Sequence, residues 1–292
     1  MRKIIHLSDL HLGHRKDQDW NAEDKLKRIC TRIREAWKPD ECVIVISGDL
    51  VEDATKDPNY EKATNIFHQE KYLGEYRLLI VPGNHDYGSG SRLEGSDYVE
   101  RFKKTFFENQ SHEPGWDSPE FYPKKDLVGE GDNMIAFIGL DSMEGEIDEG
   151  SLGGADGKFG GAQLCRLTRR LEEVKHCKHI VLYFHHHAYP CRWRWLPVFH
   201  GLKDSDALGN KIEKYHKDNP NHRIDLMLYG HEHDYRKDEL WGIERCYDAG
   251  TSTRKKSFGD SIRRLSMLFK KRSRIRVFDL STGDCTEHDF LQ

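Results

Sequence analysis

Five short clusters of oxygen and imidazole side chains recur along the chain: Asp9-Leu10-His11, Gly48-Asp49, Gly83-Asn84-His85-Asp86, His185-His186-His187 and Gly230-His231-Glu232-His233. Carboxylate, amide and imidazole donors without thiolate suit manganese, iron or zinc. In extended chain, residues i and i+2 point to the same side, so Asp9 with His11, and His231 with His233, can each present two donors to one point. If Asp49 bridges two ions, then Asp9, His11, Asp49, Asn84, His185, His231 and His233 supply eight bonds from seven side chains, four to each ion. Each ion then keeps open positions for water and a substrate oxygen, which a catalytic site needs and a structural site does not. The seven cysteines are scattered, with no C-x-x-C pair, so neither a disulfide framework nor a thiolate zinc site is expected.

Each cluster follows a short apolar run. Ile4 to Leu7, Cys42 to Ile46, Leu78 to Val81, Met134 to Leu140, Ile180 to Phe184 and Leu226 to Tyr229 lack clean alternation, the pattern of strands covered on both faces. Helical stripes lie between them: Leu26, Ile29, Cys30, Ile33 and Trp37 within Ala22 to Trp37, with Asn21 as N-cap; Ala63-Ile66-Phe67; Leu164-Leu167-Leu171-Val174; and Ala207-Leu208-Ile212-Tyr215. Alternation of strand and helix predicts a layered α/β fold, in which the carboxyl ends of the strands line the ligand crevice and the clusters converge. Glycine precedes Asp49, Asn84 and His231, where a chain leaving a strand must turn sharply. The last fifty residues break the rhythm: Glu244 to Tyr247, Arg274 to Leu280 and Cys285 to Phe290 read as strands without helices between them, which predicts a second, antiparallel sheet. One domain over residues 1–292 is expected, with insertions near 87–133 and 142–161 and a basic segment at 254–276.

The ordered set D-x-H, G-D, G-N-H-D, H and G-H-x-H resembles the calcineurin-like metallophosphoesterase superfamily, from about Met1 to Thr251. The resemblance implies a four-layer α/β/β/α sandwich of two mixed sheets flanked by helices. It implies that Asp9, His11, Asp49 and His233 hold one ion, and that Asp49, Asn84, His185 and His231 hold the other. The family commonly shows His-His-Pro where this chain has His185-His186-His187-Ala188, so His186 stands as the alternative ligand to His185. His85 would be the catalytic histidine at the leaving group, oriented by Asp86. The activity implied is that of a dinuclear metal-dependent phosphoesterase acting on a phosphomonoester, phosphodiester or nucleotide. A metal-bridging hydroxide would attack phosphorus in line. A metal-dependent DNA nuclease of the same superfamily and a non-catalytic scaffold are the alternatives.

Composition narrows the class. Hydrophobic residues are 36% and charged residues 33% of the 292, enough apolar side chain to build a core under a polar surface, which excludes wholesale disorder. No apolar run reaches membrane-spanning length, and the first residues break their apolar stretch too early for a signal peptide, so a cytoplasmic chain without a transmembrane segment is expected. Lys and Arg total 46 against 50 Asp and Glu, a net −4 that offers no global basic field for nucleic acid. That figure is uneven. From Arg254 to Arg276 ten basic residues meet one acid, +9, leaving −13 on the rest. The segment reads first as a solvated insertion, with binding to nucleic acid, an anionic membrane surface or an acidic partner as its functional alternatives. In Arg192-Trp193-Arg194-Trp195 an extended chain would put both indoles on one face; these read as a cap packed on the domain, or as a strip that stacks a nucleobase, with His200 close behind.

Overall fold

A computed structural model describes residues 3–13, 21–90, 92–106, 122–150, 156–188, 201–233, 235–253 and 275–288. The Arg192 to Trp195 strip, His200 and the basic segment as far as residue 274 lie outside the described residues.

The apolar runs become the centres of two mixed sheets. In the first, β1 (Lys3–Leu7), β2 (Cys42–Ser47) and β3 (Arg77–Val81) are parallel neighbours, and β10 (Ile275–Asp279) and β11 (Cys285–His288) extend the β1 edge antiparallel. In the second, β5 (Ile135–Gly139), β6 (His179–Tyr183), β7 (Leu226–Tyr229) and β9 (Ile243–Asp248) are parallel, with β4 (Lys124–Val128) and β8 (Arg236–Leu240) as antiparallel edges.

Burial on both faces follows from strict alternation within continuous apolar sequence. Val181, Tyr183, Leu226 and Leu228 join the core shared with the first sheet. Their neighbours Ile180, Leu182, Met227 and Tyr229 meet helices α5 (Gly160–Glu173) and α6 (Ser205–Asp218) on the other side, through Leu164, Leu167, Leu171, Leu208 and Ile212. Helix α1 (Ala22–Ala36) buries its Leu26-Ile29-Cys30-Ile33 stripe on the first sheet, and the Asn21 side chain caps it by accepting the Glu23 N–H at 3.1 Å. Helix α2 (Asp57–Phe67) adds Tyr60, Ala63 and Ile66 to the same core. The result is the expected α/β class, two mixed sheets flanked by helices. Among the described residues no helix is long and apolar enough to cross a membrane.

One expectation changes. The C-terminal strands do not form an antiparallel sheet of their own: β9 lies parallel to β7, and β10 pairs with β1. Each satisfies an open edge of a parallel sheet, where unpaired N–H and C=O groups demand a partner. The 87–133 stretch also holds a helix, α3 (Ser96–Phe106), besides strand β4. That strand escapes a hydrophobic reading because its buried face carries Lys124 and Asp126, an ion pair at 3.3 Å, while Leu127 points to the half-exposed side. The 142–161 stretch contains the short helix α4 (Glu144–Asp148) and the first two residues of α5.

Candidate metal centre

Every cluster sits where its strand ends, and in three of the five, those of Asp9-His11, Asp49 and His231-His233, the backbone is bent in the same unusual way. Asp9, His11, Asp49, His231 and His233 all have φ between 44° and 76°, the left-handed region. Such a conformation costs a non-glycine residue roughly 1–3 kcal/mol and persists only where its surroundings over-determine it. The bends hold one another. The N–H groups of Asp9 and His11 donate to the carbonyls of Gly48 and Asp49, both at 3.0 Å. Two glycines matter through closeness: a Cβ on Gly83 would lie 2.3 Å from Asp49 Oδ1, and one on Gly48 would lie 2.6 Å from His185 Nδ1.

The seven side chains converge in two nests. In one, His233 Nε2 stands 3.1 Å from Asp9 Oδ1 and 3.0 Å from His11 Nε2. In the other, His185 Nε2 stands 3.1 Å from Asn84 Oδ1 and 3.2 Å from His231 Nδ1. Asp49 Oδ2 serves both, 3.3 Å from His185 Nε2 and 3.8 Å from His11 Nε2. Asp9, His11, Asp49 and His185 are at most 1% exposed.

The donor chemistry fits cations. His185 Nδ1 lies 2.8 Å from the Ser47 carbonyl, which only accepts, so Nδ1 holds a proton and Nε2 is the nitrogen that faces Asp49 and Asn84. Asn84 Nδ2 donates to Gly90 O at 2.6 Å, which turns its amide oxygen inward. His11 Nδ1 lies 3.0 Å from a Glu52 carboxylate oxygen, again leaving Nε2 inward. Buried lone pairs so converged need a shared positive charge. Burial opposes charge on Asp49, yet His185 and His85 hold its carboxyl well below the ordinary range. Against the same burial, Asp49 raises His185 to about 9, so without a cation the ring carries a second proton at Nε2, which a cation binding there would displace. Burial and the neighbouring His186 keep His231 well below its usual value.

His85 faces this centre from the one-turn 3-10 helix Asn84–Tyr87, its Nε2 4.0 Å from Asp49 Oδ2 and its ring edge-on to His11 at 4.8 Å. The expected orienting contact from Asp86 is corrected. That carboxylate turns back into the loops, accepting the N–H groups of Leu50 at 3.0 Å, Val51 at 3.2 Å and Gly83 at 2.8 Å. Burial, then the Asp49 charge, raises it to about 7. The His85 ring is held instead by the Glu52 carbonyl, 2.6 Å from Nδ1. Glu52 therefore supports both His11 and His85, a role the sequence reading missed; its only signal was an acid directly after the buried Leu50-Val51 pair. At the β6 end, His185 is the residue that reaches Asp49. His186 turns Nδ1 to Ser142 Oγ at 2.7 Å, with its ring 4.3 Å from that of His231.

The chain is 24% identical over 242 residues to a "Probable cyclic nucleotide phosphodiesterase" of Vesicomyosocius okutanii subsp. Calyptogena okutanii (strain HA), covering 82% of each chain. Its fold is similar to a dimetal phosphatase from Danio rerio, with a TM-score of 0.62 at 12% identity over 96% of this chain and 92% of that one. It is also similar to a 5'-nucleotidase from Candida albicans, with a TM-score of 0.54 at 12% identity; 99% of this chain spans 52% of that longer protein. The family model for calcineurin-like phosphoesterases matches residues 2–235. The chain belongs to that family, and is a metal-dependent phosphoric ester hydrolase.

Proposed function

We propose that the chain hydrolyses a phosphodiester bond in a nucleotide-class substrate at a dinuclear centre held by Asp9, His11, Asp49, Asn84, His185, His231 and His233. The observation that carries this is Asp49 Oδ2, placed within 4 Å of one imidazole nitrogen in each nest. The cyclic nucleotide relative supports the substrate class. Two bound ions would supply an acidified water and a positive clamp for the phosphoryl oxygens.

The chain's own groups do the rest. Asp49 uses its two oxygens differently: Oδ2 faces both nests, while Oδ1 accepts the His85 N–H at 3.0 Å and fixes that residue to the centre. Because the Glu52 carbonyl can only accept, Nδ1 of His85 keeps its proton, and Nε2 is the atom that exchanges one with substrate. The His85 side chain is 22% exposed, so a leaving oxygen can reach it. Proton donation by a group placed in this way is worth about 10²–10⁴ in rate. A cytoplasmic location belongs to the same reading, since none of the six described cysteines is paired.

A screen of manganese-loaded protein tests this. Hydrolysis of cyclic nucleotides and bis-p-nitrophenyl phosphate in preference to p-nitrophenyl phosphate is expected. Hydrolysis of monoesters alone would overturn the diester assignment, and failure to bind metal would overturn the centre.

A further inference from the structure

Directly after the Gly250 turn the chain carries three consecutive hydroxyl side chains, Thr251, Ser252 and Thr253. They meet three consecutive residues of the Asp9 turn. Thr251 Oγ1 donates to the Asp9 carbonyl at 2.9 Å, Ser252 Oγ accepts the Ser8 N–H at 3.1 Å, and Thr253 Oγ1 donates to the Leu10 carbonyl. The Ser252 N–H adds a bond to the Ser8 carbonyl at 3.0 Å. Ser252 and Thr253 are fully buried.

The reason for hydroxyls lies in the backbone. Strand β1 has β10 as its neighbour only as far as His6, which faces Arg276. Beyond that point Asp9 and His11 have φ of 52° and 44°, so successive carbonyls no longer alternate and a regular strand cannot pair with them. Left without partners, buried carbonyls would cost about 1–3 kcal/mol each. Short side-chain hydroxyls reach groups that a ladder cannot. On the opposite side the turn is tied by its N–H groups to Gly48, Asp49 and Leu50. The Asp9 turn is thus gripped on both flanks, and the three hydroxyl bonds all go to the loop that carries Asp9 and His11.

We propose that Thr251, Ser252 and Thr253 are positioning residues for one half of the centre: they aim Asp9 and His11, and so set the metal affinity of the Asp9–His11–His233 nest separately from that of the nest of Asn84, His185 and His231. This rests on the two-ion reading above.

The test is a manganese titration of the full chain by calorimetry, with electron paramagnetic resonance to distinguish paired from isolated ions. His233→Ala and His231→Ala serve as references for loss of a donor from each nest. A Thr251→Val, Thr253→Val variant is expected to bind one of two ions about 10–100-fold more weakly. Its titration should follow His233→Ala and not His231→Ala. Thr251→Ser with Thr253→Ser keeps both hydroxyls and should restore wild-type binding, and Ser252→Ala supplies an independent variant if the valine pair folds poorly. Equal weakening of both ions together with a lower melting temperature would show a merely structural role and overturn the proposal. So would unchanged binding in the valine pair and in Ser252→Ala. Wild-type protein that fails to bind two ions would overturn the two-ion reading and this proposal with it, whereas wild-type binding with indifferent variants overturns this proposal alone.

Discussion

Asp49 and His185 meet across the seam between the two sheets, Oδ2 to Nε2 at 3.3 Å, while the other oxygen of Asp49 holds the His85 N–H at 3.0 Å. One carboxylate therefore joins both nests and fixes His85, the proposed proton donor. Asp49→Ala is expected to lose both ions and to fall to background activity. Metal analysis by mass spectrometry after desalting checks it; a variant that still carried both ions would exclude Asp49 as the bridge.

His85→Ala should behave differently. Its ring is hydrogen-bonded to the Glu52 carbonyl and not to a nest side chain, so metal content is expected to stay at the wild-type level while kcat falls by about 10²–10⁴. The loss should be largest for an alkoxide leaving group and small for p-nitrophenolate, which departs without a proton. Steady-state kinetics on both substrate types decides it.

Gly90 lies against the His85 ring with φ of 85°, and a Cβ there would stand 2.2 Å from Cε1. Gly90→Ala is expected to displace the imidazole and cost up to about 10²-fold in kcat, the usual consequence of a misplacement near 1 Å. Combined with His85→Ala it should add nothing. Additive losses in the double variant would place the effect of Gly90 elsewhere.

The two histidines at the end of β6 separate by the same logic. His185→Ala removes the nitrogen beside Asp49 and Asn84 and should cost one ion. His186→Ala removes a ring bonded to Ser142 Oγ and should keep both ions, with at most about 10-fold weaker binding, as expected for a residue behind a ligand. Loss of an ion from His186→Ala alone would reverse the assignment.

Stability should depend on pH through His6. Burial, reinforced by Arg276, lowers its imidazole from 6.5 to about 3, and its Nε2 lies 2.8 Å from Ser47 Oγ. The unfolded chain takes up a proton below its ordinary value, whereas the folded ring stays neutral until about 3, so the folded state loses stability as pH falls through that window. The contribution of this one group is about 1.4 kcal/mol per pH unit at most. Urea unfolding between about pH 4 and 6 should show a shallower slope for His6→Asn than for wild type. Parallel slopes would remove His6 from the acid response.

Much of this was readable from residue types, for identifiable reasons. The central strands announce themselves because Cys42 to Ile46 and Ile180 to Phe184 are apolar on both faces, as a doubly covered strand requires. The candidate ligands follow because each cluster stands directly behind such a run. What escaped depends on backbone direction. Asp86 adjoins His85 in sequence, yet the 3-10 turn sends its carboxylate back to Leu50 and Val51. Glu52 reaches His11 and His85 only because Asp49 bends the chain left-handed. The part played by Thr251 to Thr253 appears only where the carbonyls of Asp9 and Leu10, outside any ladder, accept the threonine hydroxyls.

The nests have a consequence beyond chemistry. Asp9, His11, Asp49 and Asn84 come from loops of the first sheet, and His185, His231 and His233 from loops of the second. An ion in either nest is thus a rivet through the seam of the molecule. Binding the folded state alone stabilises it by mass action. Chelation should then unfasten the two sheets from each other at this end, and make resistance to proteolysis, and with it the protein's persistence in the cell, a gauge of metal supply.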